Sequence, residues 1–182
     1  RGSLRKILSH YASGSPADWR FGYGVYGKPG LLNGGESGGL RFNVSHSSGL
    51  ALIAVTRERE VGVDVEWVDR GVEMDSIATR FFNEEENAML QGSSASERAR
   101  IFFGIWTRKE ALAKARGVGI GVELERMEVP DPSDDLDFAP GIPVLRSDHP
   151  YYVADLECTD GYAGAIALEG APALASWRRS CP

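Results

Sequence analysis

Cysteine is nearly absent from this chain of 182 residues: Cys158 and Cys181 are the only two. They are far apart, and no CxxC or Cys/His cluster accompanies them, which excludes a disulfide framework and a zinc site as organising features. A reducing, cytoplasmic setting is the expectation. Long hydrophobic runs are also missing. The longest, Leu50 to Val55, is six residues, far short of the roughly 20 needed to cross a bilayer. Positive charge is in deficit, with 20 Lys plus Arg against 26 Asp plus Glu and a net charge of −6. Such a chain lacks the basic field that non-specific nucleic-acid binding requires. The N-terminus, Arg-Gly-Ser-Leu-Arg-Lys, has no apolar segment of a secretory leader. It does not open with Met, as expected of a fragment of a longer chain. Lysine is scarce too: Lys6, Lys28, Lys109 and Lys114 stand against 16 arginines. GxSxG, P-loop and dinucleotide fingerprints are all lacking.

What remains is an ordinary globular composition, 42% hydrophobic and 25% charged, with room for one large domain or two small ones. Leu4, Ile7, Leu8 and Tyr11 recur at helical spacing, so a helix is expected over 3–12, broken by Ser13 to Pro16. Trp19 to Tyr26 could form a strand, and Gly27-Lys28-Pro29-Gly30 a turn. Leu40 to Ser45 alternates, with Leu40, Phe42 and Val44 on one face and Arg41, Asn43 and Ser45 on the other. Leu50 to Thr56 reads as a buried strand and Val61 to Trp67 as the next, which predicts a meander of three antiparallel strands. Asp75 or Ser76 can cap a helix carrying Ile77, Phe81 and Phe82. Asn83 with Glu86 three residues on is a capping-box pattern for a short helix to Leu90. The longest helix is predicted over Glu97 to Arg116, stopped by Gly117. Val122 to Val129 alternates as a strand would, and Pro130 to Pro150 reads as loop. Tyr151 to Cys158 and Tyr162 to Leu168 predict a hairpin. Strands grouped around a run of helices define an α+β fold with antiparallel sheet.

Three local patterns carry chemistry. In Val61-Gly62-Val63-Asp64-Val65-Glu66 the valines share one face, and Asp64 and Glu66 share the other. Two carboxylates at i and i+2 stand about 6–7 Å apart and can share a hard cation such as Mg²⁺. A solvated acidic edge strand is the ordinary reading of the same pair. On the long helix, Phe102, Trp106, Glu110 and Lys114 form one stripe. Two aromatics turn that stripe toward the core, so Glu110 and Lys114 either meet partners in a cleft or form a plain surface pair. In Phe42-Asn43-Val44-Ser45-His46-Ser47, a hydroxyl and an imidazole stand at the end of a strand. They can serve a phosphate, or His46 can be a turn histidine bonded to backbone.

YGKP, FNVSHS, VGVDVE, FFNEEE and WTRKEALAKA, in this order and spacing, resemble the 4′-phosphopantetheinyl transferases of the larger, Sfp-like type. The resemblance runs from Arg1 to about Leu168. It implies two similar antiparallel-sheet-plus-helix halves in a pseudo-twofold arrangement, an N-terminal half over 1–70 and a C-terminal half over 71–182, with the active site between them. It implies Mg²⁺-dependent transfer of the 4′-phosphopantetheine arm of coenzyme A to a serine of an apo acyl or peptidyl carrier protein, with adenosine 3′,5′-bisphosphate as the second product. By the resemblance, Asp64, Glu66 and Glu110 are the metal ligands, and Lys114 contacts the diphosphate. Ser45 and His46 lie near the 3′-phosphate and adenosine, Lys28 and Pro29 run along the adenine, and Arg1 also touches the nucleotide. Glu86 matches a glutamate sometimes assigned as the base, although its place in the capping box gives it a structural role as well. Glu110 is the other candidate base. Coenzyme A and the carrier protein are the implied partners, with no nucleic acid or membrane, and a monomer is expected. The alternative is a non-catalytic coenzyme A or carrier-protein binding module.

Overall fold

The structure is a computed structural model. It describes residues 2–32, 38–68, 71–119, 121, 124–129, 142–144 and 151–170. The first helix, α1 (Gly2–Leu8), is shorter than the sequence pattern suggests. Leu8 is fully buried against Trp19 and Phe42. A small hairpin follows, β1 (Phe21–Tyr23) with β2 (Pro29–Leu31). Its turn holds Lys28, whose Nζ donates to Glu60 Oε2 at 2.6 Å and to the Ala115 carbonyl at 2.9 Å.

The expected pair of strands is present as β3 (Leu40–Ser47) and β4 (Leu50–Arg57) in continuous antiparallel register. The third strand of the expected meander is not joined to them by a main-chain ladder. Strand β5 (Val61–Trp67) instead pairs with a strand from the end of the chain. The reason lies in the side chains of β3. Asn43 Oδ1, Ser45 Oγ and Ser47 Oγ accept the backbone N–H groups of Val63, Val65 and Trp67 at 2.9, 3.3 and 3.1 Å. Buried N–H groups must find acceptors, and here a row of side chains supplies them where a neighbouring strand ordinarily would. Asn43, Ser45 and Ser47 are accordingly buried. The polar face of β3 is a seam between two sheets.

Three helices follow: α2 (Met74–Phe81), α3 (Glu84–Gly92) and α4 (Ala95–Arg116). Helix α2 begins after Glu73 with no side-chain cap, so neither Asp75 nor Ser76 fills that role. The predicted capping box of α3 is complete: the Glu86 N–H donates to Asn83 Oδ1 and the Asn83 N–H to Glu86 Oε2, both at 2.8 Å. Gly117 closes α4 at φ +67°, a left-handed conformation that glycine adopts without steric cost.

The segment expected as a strand over 122–129 is different. Leu124–Arg126 forms a 3₁₀ turn, while 122 and 123 lie outside the described residues. The carbonyls of Leu124 and Met127 turn inward to the Lys109 ammonium, each at 2.8 Å, which an extended strand would not permit. The chain then contributes β6 (Ile142–Val144), β7 (Tyr151–Asp155) and β8 (Tyr162–Glu169), giving a sheet ordered β5-β8-β7-β6. The last two strands are the predicted hairpin, and β6 lies in a segment read as loop. The architecture is α+β with antiparallel sheets throughout. Among the described residues no helix is long and apolar enough to cross a membrane.

Helix α4 lies across the β5–β8 sheet, and small residues on both sides let it come close. Gly62, Asp64 and Glu66 face it from β5, beside their β8 partners Ala167, Ala165 and Ala163. From the helix come Ala111, Ala113 and Ala115. A Cβ on Gly62 would stand 1.9 Å from the Ala111 carbonyl oxygen and 2.3 Å from the Ala115 nitrogen. The first half of α4 carries the large side chains, with Phe102 and Phe103 buried against Phe82 and Leu90.

Candidate active site

The close seat of α4 places Glu110 and Lys114 over the acidic face of β5. Lys114 Nζ reaches Asp64 Oδ1 at 2.6 Å and Ser45 Oγ at 3.1 Å. Ser45 Oγ donates to the same Asp64 oxygen at 2.8 Å. Asp64 is almost fully buried, and its Oδ2 has no hydrogen-bond partner. Glu66 Oε2 accepts from Ser47 Oγ at 2.9 Å. Glu110 is 4% exposed. Burial, then the charge of Asp64, pushes its carboxyl up to about 7; Lys114 opposes the rise and Glu66 adds to it. The carboxyl of Glu110 therefore stands in the field of both β5 acids. Three carboxylates, Asp64, Glu66 and Glu110, thus stand together with Lys114 at this face of the sheet.

This cluster bears on whether the site suits Mg²⁺. Among the described residues, no three acidic, histidine or cysteine side chains stand close enough to hold a metal ion as they lie. The donor set is nonetheless of the right kind: oxygen ligands alone, which Mg²⁺ prefers. One of these oxygens, Asp64 Oδ2, is buried without a partner. The residues fit a hard divalent cation in the chemistry of their donors.

A cleft of about 260 Å³ opens beside these groups, lined by Lys28, Pro29, Glu110 and Lys114 among others. It shares Lys28, Pro29 and Gly117 with a second depression of about 690 Å³ that runs between the β1–β2 hairpin and β3. The structure thus brings Lys28, Pro29, Glu110 and Lys114 to one opening. Ser45 does not line it and is tied to it by the hydrogen bond from Lys114. His46 is exposed and sits on the other face of β3 from Ser45, as alternation along a strand requires. Arg1 lies outside the described residues.

Glu86 has a different setting. It is 6% exposed. Besides its capping box, its Oε2 pairs with Lys109 Nζ at 2.8 Å. Burial pushes the Glu86 carboxyl up, against the pull of Lys109. Burial also draws Lys109 down. Lys109 has no exposed surface, and its three acceptors, Glu86 Oε2 and two carbonyls, match the three hydrogens of an ammonium. Sequence reasoning missed this hub, as it missed Asn43 and Ser47. The signal available was period: Asn43, Ser45 and Ser47 recur at two, in step with Gly62, Asp64 and Glu66.

A family model described as the 4′-phosphopantetheinyl transferase superfamily matches residues 60–167, which takes in β5, α2 to α4 and most of β8. The chain belongs to that superfamily. It is 41% identical over 129 residues to the 4′-phosphopantetheinyl transferase HetI of Nostoc sp., covering 71% of this chain and 54% of HetI. It is 28% identical over 163 residues to the 4′-phosphopantetheinyl transferase Sfp of Bacillus subtilis, covering 90% of this chain and 69% of Sfp. Across HetI and the AcpT transferase of Salmonella typhimurium, it spans about half the length of the relative. A crystal structure of a holo-(acyl-carrier-protein) synthase from Bacillus anthracis, in complex with CoA (3′,5′-ADP), superposes with a TM-score of 0.49 at 24% identity. The match covers 63% of this chain and 96% of that one.

Proposed function

We propose that this protein transfers the 4′-phosphopantetheine arm of coenzyme A to a serine hydroxyl of an apo acyl or peptidyl carrier protein, with Mg²⁺. The observation that carries the proposal is the meeting of Asp64, Glu66, Glu110 and Lys114 between β5 and α4, beside an open cleft. In this reading Asp64, Glu66 and Glu110 hold the ion. When bound, the ion supplies charge stabilisation to the diphosphate and to the departing bisphosphate. Lys114 lies at the diphosphate. Lys28, Pro29, Ser45, His46 and Arg1 are assigned along the nucleotide by their match to the family motifs. The two halves divide near residue 70, and the substrate lies between them.

The attacking group comes from the carrier protein, which accounts for a chain without a nucleophile motif. The serine oxygen forms a bond to the phosphorus that bears the pantetheine arm. The bond from that phosphorus to the bridging oxygen breaks, and adenosine 3′,5′-bisphosphate departs with the electron pair. The serine proton passes to Glu110, which stands in the cleft. Glu86 is a poorer candidate, since it is buried, does not line this cleft and pairs with Lys109. Its place is to brace α3 against α4. A monomer in the cytoplasm suits this chemistry.

The test is incubation with coenzyme A, Mg²⁺ and a panel of apo carrier proteins, read by intact mass. The expected result is a mass gain of one phosphopantetheine, lost in Asp64→Ala and Glu110→Ala proteins that keep their circular dichroism. A full mass gain in either variant refutes the assignment. Binding of coenzyme A with no gain on any carrier favours a non-catalytic module.

A further inference from the structure

The turn between β1 and β2 forms a wall common to both openings, since Lys28 and Pro29 line the cleft and the larger depression alike. A hairpin of two three-residue strands is marginal by itself, so the rest of the fold must hold that wall. Packing holds it at the end away from the turn, where Phe21 meets Phe42 edge to face. At the turn, Val25 is 96% exposed, and Tyr23 and Tyr26 are more than half exposed. The fastening there is polar. Lys28 Nζ commits two of its three hydrogens, one to Glu60 Oε2 at 2.6 Å and one to the Ala115 carbonyl at 2.9 Å. That carbonyl lies in the last turn of α4, where the final C=O groups lack helical partners and favour a cation.

Glu60 is itself held. Its N–H donates to Glu169 Oε2 at 2.9 Å, its carbonyl accepts the Glu169 N–H at 3.0 Å, and its Oε1 accepts Arg41 Nε–H at 3.2 Å. One carboxylate thus links the β1–β2 turn to β3, from a backbone tied to the end of β8.

We infer that Glu60 is a positioning residue for the nucleotide end of coenzyme A, acting through Lys28. It fixes the turn against α4 before the ligand arrives, so binding does not have to order it. The inference rests on the proposed role of Lys28 and Pro29. It predicts a sign opposite to that of a simple field effect. A carboxylate beside a phosphate site repels the ligand, so by charge alone its removal tightens binding. By position, its removal weakens binding.

The experiment titrates adenosine 3′,5′-bisphosphate, with Mg²⁺ present, into the wild-type protein and into Glu60→Ala, Lys28→Ala, Glu60→Ala/Lys28→Ala and Arg41→Gln by calorimetry. Glu60→Ala is expected to weaken binding about threefold to tenfold, the effect of one long side chain left for the ligand to order. Lys28→Ala weakens it at least as much, and the double variant is no weaker than Lys28→Ala, because the two act as one unit. Arg41→Gln removes a half-exposed charge, leaves the Lys28 bond and keeps affinity within about twofold. Tighter or unchanged binding in Glu60→Ala overturns the inference. So does a double variant weaker than Lys28→Ala, or a loss in Arg41→Gln equal to that in Glu60→Ala. If Glu60→Ala does not fold, Glu60→Gln replaces it and must weaken binding. A wild-type protein that binds no bisphosphate overturns the inference as well. Phosphopantetheine transfer is measured in parallel, where Glu60→Ala should raise KM for coenzyme A and leave kcat in place. Transfer by wild type with no Glu60 effect defeats the inference alone, whereas a Glu60 effect on the bisphosphate without transfer to any carrier defeats the proposed function alone.

Discussion

Replacing Lys109 with methionine keeps most of the side-chain volume and removes the ammonium. Three acceptors lose their donor at once: Glu86 Oε2, the Leu124 carbonyl and the Met127 carbonyl, each 2.8 Å from Nζ. Lys109 has no exposed surface and Glu86 little, so water cannot readily take its place. Breaking a buried ion pair by removing one partner costs about 3–5 kcal/mol, because the remaining charge is stranded. That is a large part of the roughly 5–15 kcal/mol that holds a domain folded. The loss must also depend on pH. Burial already raises the Glu86 carboxyl from its usual 4.5, and without Lys109 the rise is greater. A carboxyl whose pKa is higher folded than unfolded contributes stability fully below the unfolded value. That contribution disappears as pH climbs through the folded value. Lys109→Met is thus expected to lose about 3–5 kcal/mol at neutral pH and much less near pH 5. Urea unfolding followed by tryptophan fluorescence at both pH values measures this. Lys109→Met/Glu86→Gln, in which glutamine keeps an acceptor for the Asn83 N–H without a charge, should recover stability at neutral pH. A neutral-pH loss under about 1 kcal/mol, the size of one ordinary hydrogen bond, refutes the argument. So does a loss that acid fails to reduce.

Glu110→Gln should stabilise the protein in chelator above pH 7, by up to about 3 kcal/mol for a carboxyl pushed from 4.5 to about 7. Its raised value makes Glu110 favourable below 4.5 and progressively costly as pH rises through 7, so melting curves of variant and wild type should converge in acid. Gly62→Ala drives a methyl into the backbone of α4. It should cost at least about 1–3 kcal/mol in thermal unfolding and, by lifting Glu110 from β5, remove transfer activity. Asn83→Ala removes the α3 cap and should cost about 1 kcal/mol by urea midpoint; an unchanged midpoint would show the capping box to be idle.

The long helix and its working stripe were legible because Phe102, Trp106, Glu110 and Lys114 repeat every four residues, and a helix converts that spacing directly into one face. The capping box of α3 was legible for a similar reason, since its partners are three residues apart. Strand β3 was legible as an element but not in its role. Alternation distinguishes its two faces, yet Asn43, Ser45 and Ser47 are buried as polar groups meeting a foreign backbone, and local sequence does not announce that partner. The pairing of β5 with β8 spans about a hundred residues, and polar turns between consecutive strands favoured the nearer choice. Residues 124–127 looked like a strand because their pattern alternates. Their shape is set by Lys109, which is remote in sequence. Strand β6 was hidden by Pro143, which opposes Tyr152 in the ladder with β7. Proline is tolerated on such an edge strand but weakens any prediction of one.

The two margins of β5 are fastened differently. One is bound to β8 by peptide groups held in a regular ladder. The other hangs from an amide and two hydroxyls at the ends of rotatable side chains. Torsions about those side chains can absorb a small sliding of one sheet past the other, which a peptide ladder cannot do without breaking. Deuterium uptake should therefore be faster at Val63, Val65 and Trp67 than at the β5 amides turned toward β8. The fabric of the molecule would then give along the same line on which its acidic residues are strung.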